Sequence, residues 1–498
     1  MAKVKSSKKA DAPVSTKKRA KKQEEVKQKQ EGVFEDADNV ENIENKENKN
    51  KEIKDVKHKE TTEIKESEKK EQEYNKEKKG TENKEIDLKH SNEIENSQPE
   101  INIGLIGHVD HGKTTLTERL TGKWTDTHSE EIKRGITIRL GYADAIFRKC
   151  VKCSKYLLTK NCECSGETFA VRKVSFVDAP GHESLMATML AGTTIMDGAL
   201  LLVAANEQCP QPQTREHLMA LQIVGITKVI ILQNKIDLVD KEKAFKNFKQ
   251  IQEFIKGTPY ELAPIIPISA KHNINISAIV GAIQKLVPTP QRDVTKTPSM
   301  YVARSFDVNK PGIDISKMKG GVLGGAVKQG VFNVGDEIEI RPGYVVEEKN
   351  QKVYKPLTTK IVSIISGGIS MDKIYPGGSM ALMTSLDPSI VKSDKLTGAI
   401  VGLPGKLPNV YYELTLETHL LERVVGAKED VVVEPIKKME PLMLNVNSAA
   451  TVGFVTELSK NKIKCQLKLP VCCEVGSRIT ISRRIGTRFR LIGYGILK

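Results

Sequence analysis

The sequence predicts an α/β P-loop domain followed by two small β-barrels, with a disordered, charged N-terminal extension in front of them. Residues 101–287 alternate continuously apolar runs with helical patterns, which is typical of strands buried on both faces of a parallel sheet. Residues 300–498 contain short strand patterns separated by glycine and aspartate, which indicates β-barrels. Residues 1–98 consist mainly of Lys, Glu, Asn and Gln, with too little apolar surface to offset the entropy of ordering.

The predicted boundaries follow from these patterns. We place the disordered extension at 1–98, the α/β domain at 99–290, the first barrel at 297–402 and the second barrel at 409–498. The strand patterns of the α/β domain are INIGLIG, VSFVDAP, ALLLVAANE, KVIILQNKID and APIIPISA. The prolines of VPTPQRDVTKTPS mark the linker to the first barrel, and LPGKLP marks the break between the barrels.

The charge is unevenly distributed. The 498 residues carry 78 Lys+Arg against 63 Asp+Glu, a net charge of +15, yet residues 1–100 are balanced at 25 each. The basic residues 101–498 are suited to bind a polyanion such as nucleic acid. The alternative interpretation is that the positive charge only keeps the protein soluble. The candidate RNA contacts in the barrels, each individually more often a solvated surface residue, are Arg341, Arg483, Arg484, Arg488 and Arg490.

Several classes of protein are excluded. No run approaches the roughly 18 uncharged apolar residues of a membrane-spanning helix. The start, MAKVKSSKKADAP, lacks the apolar core of a secretory signal. Eight cysteines, four of them within 150–164, do not resemble the disulfide framework of a secreted protein. We therefore expect a reducing, cytoplasmic location and no membrane partner.

The segment from Gly107 to Thr114 reads GHVDHGKT and lies between a strand pattern and the helical pattern KTTLTERLTG. This is the P-loop pattern in its required context. Its glycines let backbone N–H groups surround a β-phosphate at a helix N-terminus. Lys113 then reaches the β- and γ-phosphates, and the Thr114 hydroxyl ligates Mg²⁺.

Two further loops are expected near the metal. Asp178 ends the strand VSFV, where a carboxylate holds the water shell of the ion, and Gly181 can offer its N–H to a γ-phosphate. Thr137, in RGITI, is the candidate second hydroxyl ligand, bound only when a γ-phosphate draws its loop inward. The alternative interpretation of Thr137 is an ordinary β-branched strand residue.

The remaining loops identify the base. The Asp237 carboxylate in Asn234-Lys235-Ile-Asp237 can accept both N1–H and N2–H₂ of guanine, a pairing that adenine cannot offer. Asn234 supplies amide contacts, and the stem of Lys235 packs against the base. The backbone of Ser269–Lys271 is expected to place an N–H near guanine O6. Four loops in this order, each at the end of a strand, predict a guanine nucleotide.

Together, GHVDHGKTTL, RGITI, DAPGHE, NKID and SAK resemble the translational GTPases related to elongation factor Tu. WTDTHSEEIKRGITIRLGYADA, RSFDVNKPG, GGVLGGAV and RRIGTRFRLIGYGI are similar to the γ subunit of archaeal and eukaryotic translation initiation factor 2, particularly its archaeal form. The resemblance covers residues 101–498 and implies a GTP-binding domain followed by two β-barrels.

The resemblance also implies roles for single residues. His182 would position the attacking water, with a helix-start histidine as the alternative, and Asp110 would assist at the metal site. The expected Mg²⁺ residues are Thr114, Thr137, Asp110 and Asp178. The expected nucleotide-binding residues are Asp110, His111, Gly112, Lys113, Thr114, Thr115, Gly181, Asn234, Lys235, Asp237, Ser269, Ala270 and Lys271. No arginine finger can be assigned, so intrinsic GTP hydrolysis is expected to be slow.

A cysteine cluster occupies an insert at 149–166, with Cys150-Val-Lys-Cys153 followed by Cys162-Glu-Cys164. Four thiolates this close suit a structural, tetrahedral Zn²⁺ site, and an empty reduced loop is the alternative. The γ subunits usually carry two CxxC pairs here, so the CxC pair is a departure. The cysteines predicted to be packing residues are Cys209, Cys465, Cys472 and Cys473.

The resemblance implies a GTP-controlled carrier of methionyl initiator tRNA, with the acceptor end between the GTP-binding domain and the first barrel. The implied partners are α and β subunits, on the first barrel and the GTP-binding domain respectively, and the small ribosomal subunit. One alternative function is that of an elongation factor, either general or selenocysteine-specific. The cysteine insert and RSFDVNKPG argue against a general elongation factor. Only ~90 residues follow LPGKLP, about one domain, so the extra C-terminal domain of the selenocysteine-specific factor is missing. A non-catalytic scaffold is the other, and it would predict damaged nucleotide loops.

Overall fold

The computed structural model describes residues 90–126, 131, 133, 137–348, 351–425 and 431–498. Most of the predicted disordered extension, residues 1–89, lies outside the described residues. Of the motif RGITI, Thr137 and Ile138 are described, whereas residues 134–136 are not. Within the described part of the chain, no helix is both long and apolar enough to cross a bilayer.

The described chain begins before the predicted boundary, with a helical segment at residues 90–95. Ser91 Oγ accepts the Ala170 N–H at 2.8 Å, and Lys173 Nζ donates to Ser97 O at 3.0 Å. These contacts hold the segment against the edge of the α/β domain. The prediction of disorder up to residue 98 is therefore wrong for its last nine residues, because docking supplies burial that composition alone does not reveal.

The α/β domain is built on a seven-stranded sheet in the order β3-β2-β4-β1-β5-β6-β7. Its strands are β1 (Ile101–Gly107), β2 (Gly141–Cys150), β3 (Tyr156–Leu157), β4 (Thr168–Asp178), β5 (Gly198–Ala204), β6 (Val229–Asn234) and β7 (Ile265–Pro267). Its helices within the described residues include α1 (Lys113–Thr121), α2 (Met186–Thr193), α3 (Pro212–Val224), α4 (Lys241–Ile255) and α5 (Ile276–Leu286). Strands β4, β1, β5, β6 and β7 run parallel, which confirms the predicted α/β fold.

Strand β2 is not among the predicted strands, although it pairs antiparallel with β4 from Gly141 to Cys150. Its sequence, GYADAIFRKC, buries mainly alternate residues, including Ala143, Ala145 and Phe147. A strand near the sheet edge covers one face only, so it lacks the continuous apolar run that marks the central strands. Strand β2 connects the Thr137 segment to the cysteine insert.

The first barrel closes because β11 pairs with both β16 and β12, completing the circuit β11-β16-β8-β9-β15-β12. Its elements are β8 (Ser299–Phe306), β9 (Val322–Gln329), β10 (Phe332–Asn333), β11 (Glu337–Glu348), β12 (Gln351–Ser366), β13 (Ile369–Met371), β14 (Lys373–Ile374), β15 (Met380–Thr384), α6 (Pro388–Val391) and β16 (Ile400–Gly402). Its interior is filled by inward-facing side chains such as Val302, Leu323 and Ile364.

The second barrel is closed in the order β17-β20-β19-β18-β21-β22. Its strands are β17 (Val410–Leu420), β18 (Pro441–Val446), β19 (Ala449–Ser459), β20 (Lys462–Cys472), β21 (Arg478–Ile485) and β22 (Arg488–Leu497). Two closed barrels after the α/β domain confirm the predicted architecture. Cys465 and Cys473 belong to the barrel core, and Cys209 and Cys472 are also buried, as predicted for packing residues.

Candidate functional site

The loop between β1 and α1 borders a cavity of about 470 Å³. This P-loop cavity is lined by Val109, Asp110, Gly112, Lys113, Thr114, Thr115, Trp124, Asp126, Thr137, Gly181, His182 and Lys235. Gly112 has a φ of 89°, and a Cβ there would lie 2.4 Å from Asn234 Nδ2. Glycine is therefore required at the point where helix α1 begins, and the helix N-terminus favours an anion in the cavity.

Lys113 is the buried cation of this loop. Its Nζ donates to Gly107 O at 3.0 Å and to His108 O at 2.8 Å. Burial lowers the pKa of Lys113 to about 8, against the attraction of Asp178 and Asp110. Two carbonyl groups do not neutralise a buried ammonium group, whereas a phosphate does. The residues present therefore fit a polyphosphate.

Hydroxyl and carboxylate oxygens converge beside Lys113. Thr114 Oγ1 and Thr137 Oγ1 are 3.0 Å apart, and Thr125 Oγ1 donates to Asp178 Oδ2 at 2.8 Å. Asp178 Oδ1 is buried without a hydrogen-bond partner among the described residues, and burial raises the pKa of Asp178 to about 6. Asp126, which belongs to none of the sequence motifs, lines the same cavity. Hard oxygen donors of this kind fit Mg²⁺ and its water shell.

Gly181 and His182 border the other side of the P-loop cavity. A Cβ on Gly181 would lie 2.9 Å from Gly107 O and 2.4 Å from Lys113 Nζ, so glycine is needed for this close approach to the P-loop backbone. His182 precedes the 3₁₀ turn Glu183–Leu185, and its Nδ1 accepts the Ser184 N–H at 3.3 Å. This contact engages Nδ1, and His182 is one of the residues that line the cavity.

Asn234 joins the base-recognition loops to the P-loop. Its Nδ2 donates to His111 O at 2.8 Å, and its Oδ1 accepts the Ala270 N–H at 3.0 Å. The Ala270 N–H, one of the backbone donors expected near guanine O6, is thus bonded to Asn234 here. A hydrogen bond from Ser269 lowers the pKa of Asp237, which keeps this carboxylate charged as an acceptor.

The other expected nucleotide-binding residues differ in their placement. Asp110, Thr115 and Lys235 line the P-loop cavity, and Lys235 has a left-handed φ of 62°. His111 points its imidazole into the protein, where Nδ1 lies 2.9 Å from a carbonyl oxygen of β5. Only the backbone of His111 is therefore available to a nucleotide. Lys271 is not among the lining residues, and its carbonyl accepts an arginine N–H from α1 at 3.3 Å.

A second cavity, of about 370 Å³, lies between β2 of the α/β domain and the first barrel. This interdomain cavity is lined by Tyr142 and Asp144 on one side and by Arg304 among others on the barrel side. The Tyr142 hydroxyl and Asp144 Oδ1 are buried and have no partner within the described residues. Burial raises the pKa of both groups. Unpaired buried polar groups beside a cavity indicate a ligand site.

The second barrel contacts the segment that carries His182. Arg490 Nη2 donates to Glu183 Oε2 at 2.5 Å, and Arg490 Nη1 donates to Glu216 Oε1 at 2.9 Å. The forked guanidinium thus joins the turn after His182 to helix α3. The interpretation of Arg490 as a solvated surface residue is wrong, because these carboxylates bind its guanidinium and its side chain is only 12% exposed, while its contact with RNA stays a prediction.

The other candidate arginines are also largely committed to contacts within the protein. Arg341 and Arg483 each pair with a glutamate of the same barrel, at 2.7 and 2.5 Å. Arg488 pairs with Glu183, although half of its side chain is exposed. Arg484 is exposed. Sequence alone does not distinguish these cases, since each partner is set by the barrel fold.

The four clustered cysteines converge in space. The sulfur atoms of Cys150 and Cys164 are 3.4 Å apart, those of Cys153 and Cys162 are 3.5 Å apart, and all four lie within 4.8 Å of one another. A tetrahedral site with Zn–S bonds of about 2.3 Å places its sulfurs about 3.8 Å apart. A hydrogen bond from the Cys153 backbone lowers the pKa of the Cys150 thiol to about 6, whereas the neighbouring sulfur atoms raise the pKa of the Cys162 thiol, so without a metal ion the cluster favours one thiolate hydrogen-bonded by its neighbours. The cluster therefore fits Zn²⁺, and the CxC pair does not prevent convergence.

Two known protein-family domains match the folded chain, one at its N-terminal end and one at its C-terminal end. Residues 98–289 match the elongation factor Tu GTP binding domain, and residues 412–497 match the C-terminal domain of initiation factor eIF2 gamma. Translation initiation factor 2 subunit gamma from Methanocaldococcus jannaschii is 59% identical over 402 residues, covering 80% of this chain and 98% of that protein. The subunit of the same name from Pyrococcus horikoshii is 60% identical with the same coverage.

Solved structures show the same fold at lower identity. The bacterial selenocysteine-specific elongation factor EF-Sec superposes with a TM-score of 0.61 at 24% identity, over 80% of this chain and 58% of that one. Elongation factor SelB from Methanococcus maripaludis, in complex with the GTP analogue GppNHp, gives 0.59 at 21% identity, over 81% and 79%. These similarities concern the fold alone. The family resemblance is confirmed by the high-identity relatives: the chain belongs to the translation initiation factor 2 subunit gamma family and is a translational GTPase.

Proposed function

We propose that this subunit carries methionyl initiator tRNA to the small ribosomal subunit in its GTP form and releases it after start-codon recognition. The observation that carries the proposal is the interdomain cavity, where the Tyr142 hydroxyl and Asp144 Oδ1 have no partner among the described residues and Arg304 forms part of the opposite wall. A carboxylate suits the α-amino group of an aminoacyl ester, a guanidinium suits the terminal phosphate, and a phenol suits the ribose. The cavity is therefore the proposed seat of the acceptor end.

The nucleotide roles are also proposals. The backbone from Asp110 to Thr115 would surround the phosphates, with Lys113 neutralising them and the Gly181 N–H reaching the γ-phosphate. The Asp237 carboxylate would accept N1–H and N2–H₂ of guanine, while Asn234 would hold the base loops together. The backbone of Ser269–Lys271 would border the base.

At the metal side, Thr114 and Thr137 would ligate Mg²⁺, while Asp178 and Asp110 would hold its water shell. The ion would offset the charge that develops on the β- and γ-phosphate oxygens. His182 Nε2 would orient the attacking water. The basic residues that line the P-loop cavity are Lys113 and Lys235, with no arginine among the described lining residues, so we expect slow hydrolysis until a partner completes the site.

We further propose an assembly with α and β subunits in the cytoplasm. The loop after β8 supports an α-subunit site on the first barrel, because it exposes Val308, Ile313, Ile315 and Met318. The β subunit is placed on the GTP-binding domain. Zn²⁺ in the cysteine cluster would be structural, since four protein ligands leave no open coordination position.

The test is protection of methionyl-tRNA from spontaneous deacylation, with and without the α subunit, in a GTP analogue and in GDP. We expect protection of initiator tRNA that is lost in GDP, while elongator methionyl-tRNA remains unprotected. Equal protection of both tRNAs would assign the chain to elongation. No protection under any condition, despite GTP binding, would contradict the carrier function.

A further inference from the structure

A carboxylate of the first barrel lies where the Thr137 segment meets the interdomain cavity. Asp394 Oδ2 forms an ion pair with Arg139 Nη1 at 2.9 Å, and its Oδ1 accepts a hydrogen bond from Arg304 Nε at 3.1 Å. Arg304 Nη1 also donates to Leu140 O at 3.2 Å. One carboxylate of the barrel thus joins an arginine of the GTP-binding domain to an arginine of the barrel.

The Arg139 end of this contact leads back to the P-loop cavity. Arg139 stands two residues after Thr137, whose hydroxyl lies 3.0 Å from the Thr114 hydroxyl. The buried Glu131 carboxylate accepts the backbone N–H groups of Ile138 and Arg139 at 3.1 and 2.9 Å. These bonds fix the backbone between the two positions, so a displacement of Thr137 also displaces Arg139.

The Arg304 end forms part of the cavity wall, and its side chain is 25% exposed. The barrel itself holds Asp394 in place, because Oδ1 also accepts the Ser305 N–H at 3.0 Å. Asp394 and Ser393 both have left-handed φ values, 59° and 60°. Residues other than glycine keep this conformation where their surroundings fix it, and such positions cluster at functional sites.

We propose that Asp394 is a positioning residue through which the bound nucleotide sets the orientation of Arg304 in the interdomain cavity, and with it the affinity for the aminoacylated acceptor end. The proposal rests on the proposed function. With Thr137 drawn inward, Arg139 shares the carboxylate and Leu140 O holds the other side of Arg304. When Thr137 withdraws, Asp394 pairs with Arg304 alone, and the guanidinium turns from the cavity toward the barrel.

The test variant is Asp394→Asn. Asparagine keeps an oxygen for the Ser305 N–H and tolerates a left-handed conformation, so the loop is retained while the charge is removed. The matched control is Asp387→Asn in the same segment. Asp387 is exposed, and its Oδ1 accepts the Ser389 N–H at 2.8 Å within the barrel.

The measurements use the full chain. The Kd for methionyl initiator tRNA is determined in a GTP analogue and in GDP, and the Kd values for the GTP analogue and for GDP are each determined with and without that tRNA. We expect Asp394→Asn to reduce the GDP-to-GTP ratio of tRNA Kd values by about tenfold. The tRNA-induced gain in affinity for the GTP analogue, relative to that for GDP, should fall by the same factor, because coupling between sites is reciprocal. Asp387→Asn should keep both ratios.

A second variant separates the coupling from a folding defect. Arg139→Met should reproduce the loss of coupling, and the double variant should lose no more coupling than Asp394→Asn alone, because both changes remove the Arg139–Asp394 ion pair that links the Thr137 segment to Arg304. A wild-type ratio in Asp394→Asn, or a tRNA affinity lost equally in both nucleotide states, would overturn the role of Asp394. If the wild-type chain bound the tRNA with the same Kd in the GTP analogue and in GDP, the proposed function would be overturned instead. Failure of the Asp394 proposal and failure of the proposed function are therefore distinguishable.

Discussion

The two barrels contact the GTP-binding domain beside different nucleotide loops and with opposite charges. The first barrel presents the acidic Asp394 to Arg139, two residues after Thr137. The second barrel presents the basic Arg490 to Glu183, directly after the proposed water-positioning histidine, and to Glu216 on helix α3. Each barrel is therefore placed to respond to a different part of the nucleotide site.

The two contacts also differ in burial. The Asp394 and Arg139 side chains are 19% and 33% exposed, whereas those of Arg490 and Glu216 are 12% and 0% exposed. An ion pair open to water has a small net strength, while opening a buried pair leaves a charge without compensation. The first contact is thus suited to form and break with the nucleotide, and the second to hold its barrel in place.

The largest expected effect comes from the second contact. Arg490→Met should lower the free energy of unfolding by about 3 kcal/mol, because Glu216 would remain buried without a partner. The control is Arg478→Met, which removes a hydrogen bond to Ile223 O from the same barrel and should cost about 1 kcal/mol. Thermal or denaturant unfolding measures both. Equal losses would show that the buried Arg490–Glu216 pair contributes no more to stability than an ordinary hydrogen bond.

The rate of GTP hydrolysis tests whether the second contact does more than hold its barrel. His182→Ala should slow single-turnover GTP hydrolysis by roughly 100-fold, because the residue that orients the water is lost. GTP affinity should change little, since His182 binds neither phosphate nor base in the proposed complex. If the second contact only holds its barrel, Arg490→Lys should hydrolyse GTP much faster than His182→Ala. Equally slow hydrolysis in both variants would show that Arg490 also positions the histidine.

The pH dependence of stability provides a finer test. Burial raises the pKa of Glu216 above its ordinary value of 4.5, against the attraction of Arg490. The native state then keeps this proton to a higher pH than the unfolded chain does, so the Glu216 contribution to stability falls as the pH rises from 4.5 through the folded-state pKa. Glu216→Gln should abolish that fall, whereas Asp394→Asn should leave it. Parallel wild-type and Glu216→Gln curves would contradict this prediction.

The smallest effect on the nucleotide site is expected from the cysteine cluster, which neither barrel contact involves. Cys162→Ser should abolish stoichiometric zinc binding, because one of four tetrahedral ligands is lost. The affinity for GTP should stay within about twofold of wild type, as for a change away from the site. Zinc released by a thiol-reactive reagent and nucleotide titration measure the two quantities. Cys209→Ser, at a buried cysteine outside the cluster, is the control.

The sequence predicts features whose information is local. The P-loop from Gly107 to Thr114 lies within one strand–loop–helix unit, and the convergence of the cysteine cluster follows from ligands close together in the chain. The central parallel strands were equally clear, because burial on both faces produces uninterrupted apolar runs. These features could therefore be placed without knowledge of the tertiary structure.

Features that depend on distant residues could not be predicted. Arg490 and Glu183 are 307 positions apart, and no spacing rule connects them. The sequence alone therefore predicts a solvated basic side chain at Arg490. Asp394 carries no motif, and its role depends on how the first barrel docks. Strand β2 was missed because only one of its faces is apolar, and residues 90–98 because their order comes from docking.

In the proposed function, the interdomain cavity binds the aminoacylated acceptor end in the GTP form. This role of the cavity is tested by the deacylation rate of methionyl initiator tRNA with the GTP-analogue complex of wild type and of Arg304→Met. We expect strong protection by wild type and a rate close to that of free tRNA for the variant, with equal affinity of both chains for the GTP analogue. Full protection by Arg304→Met would contradict it, because the acceptor end would then bind elsewhere.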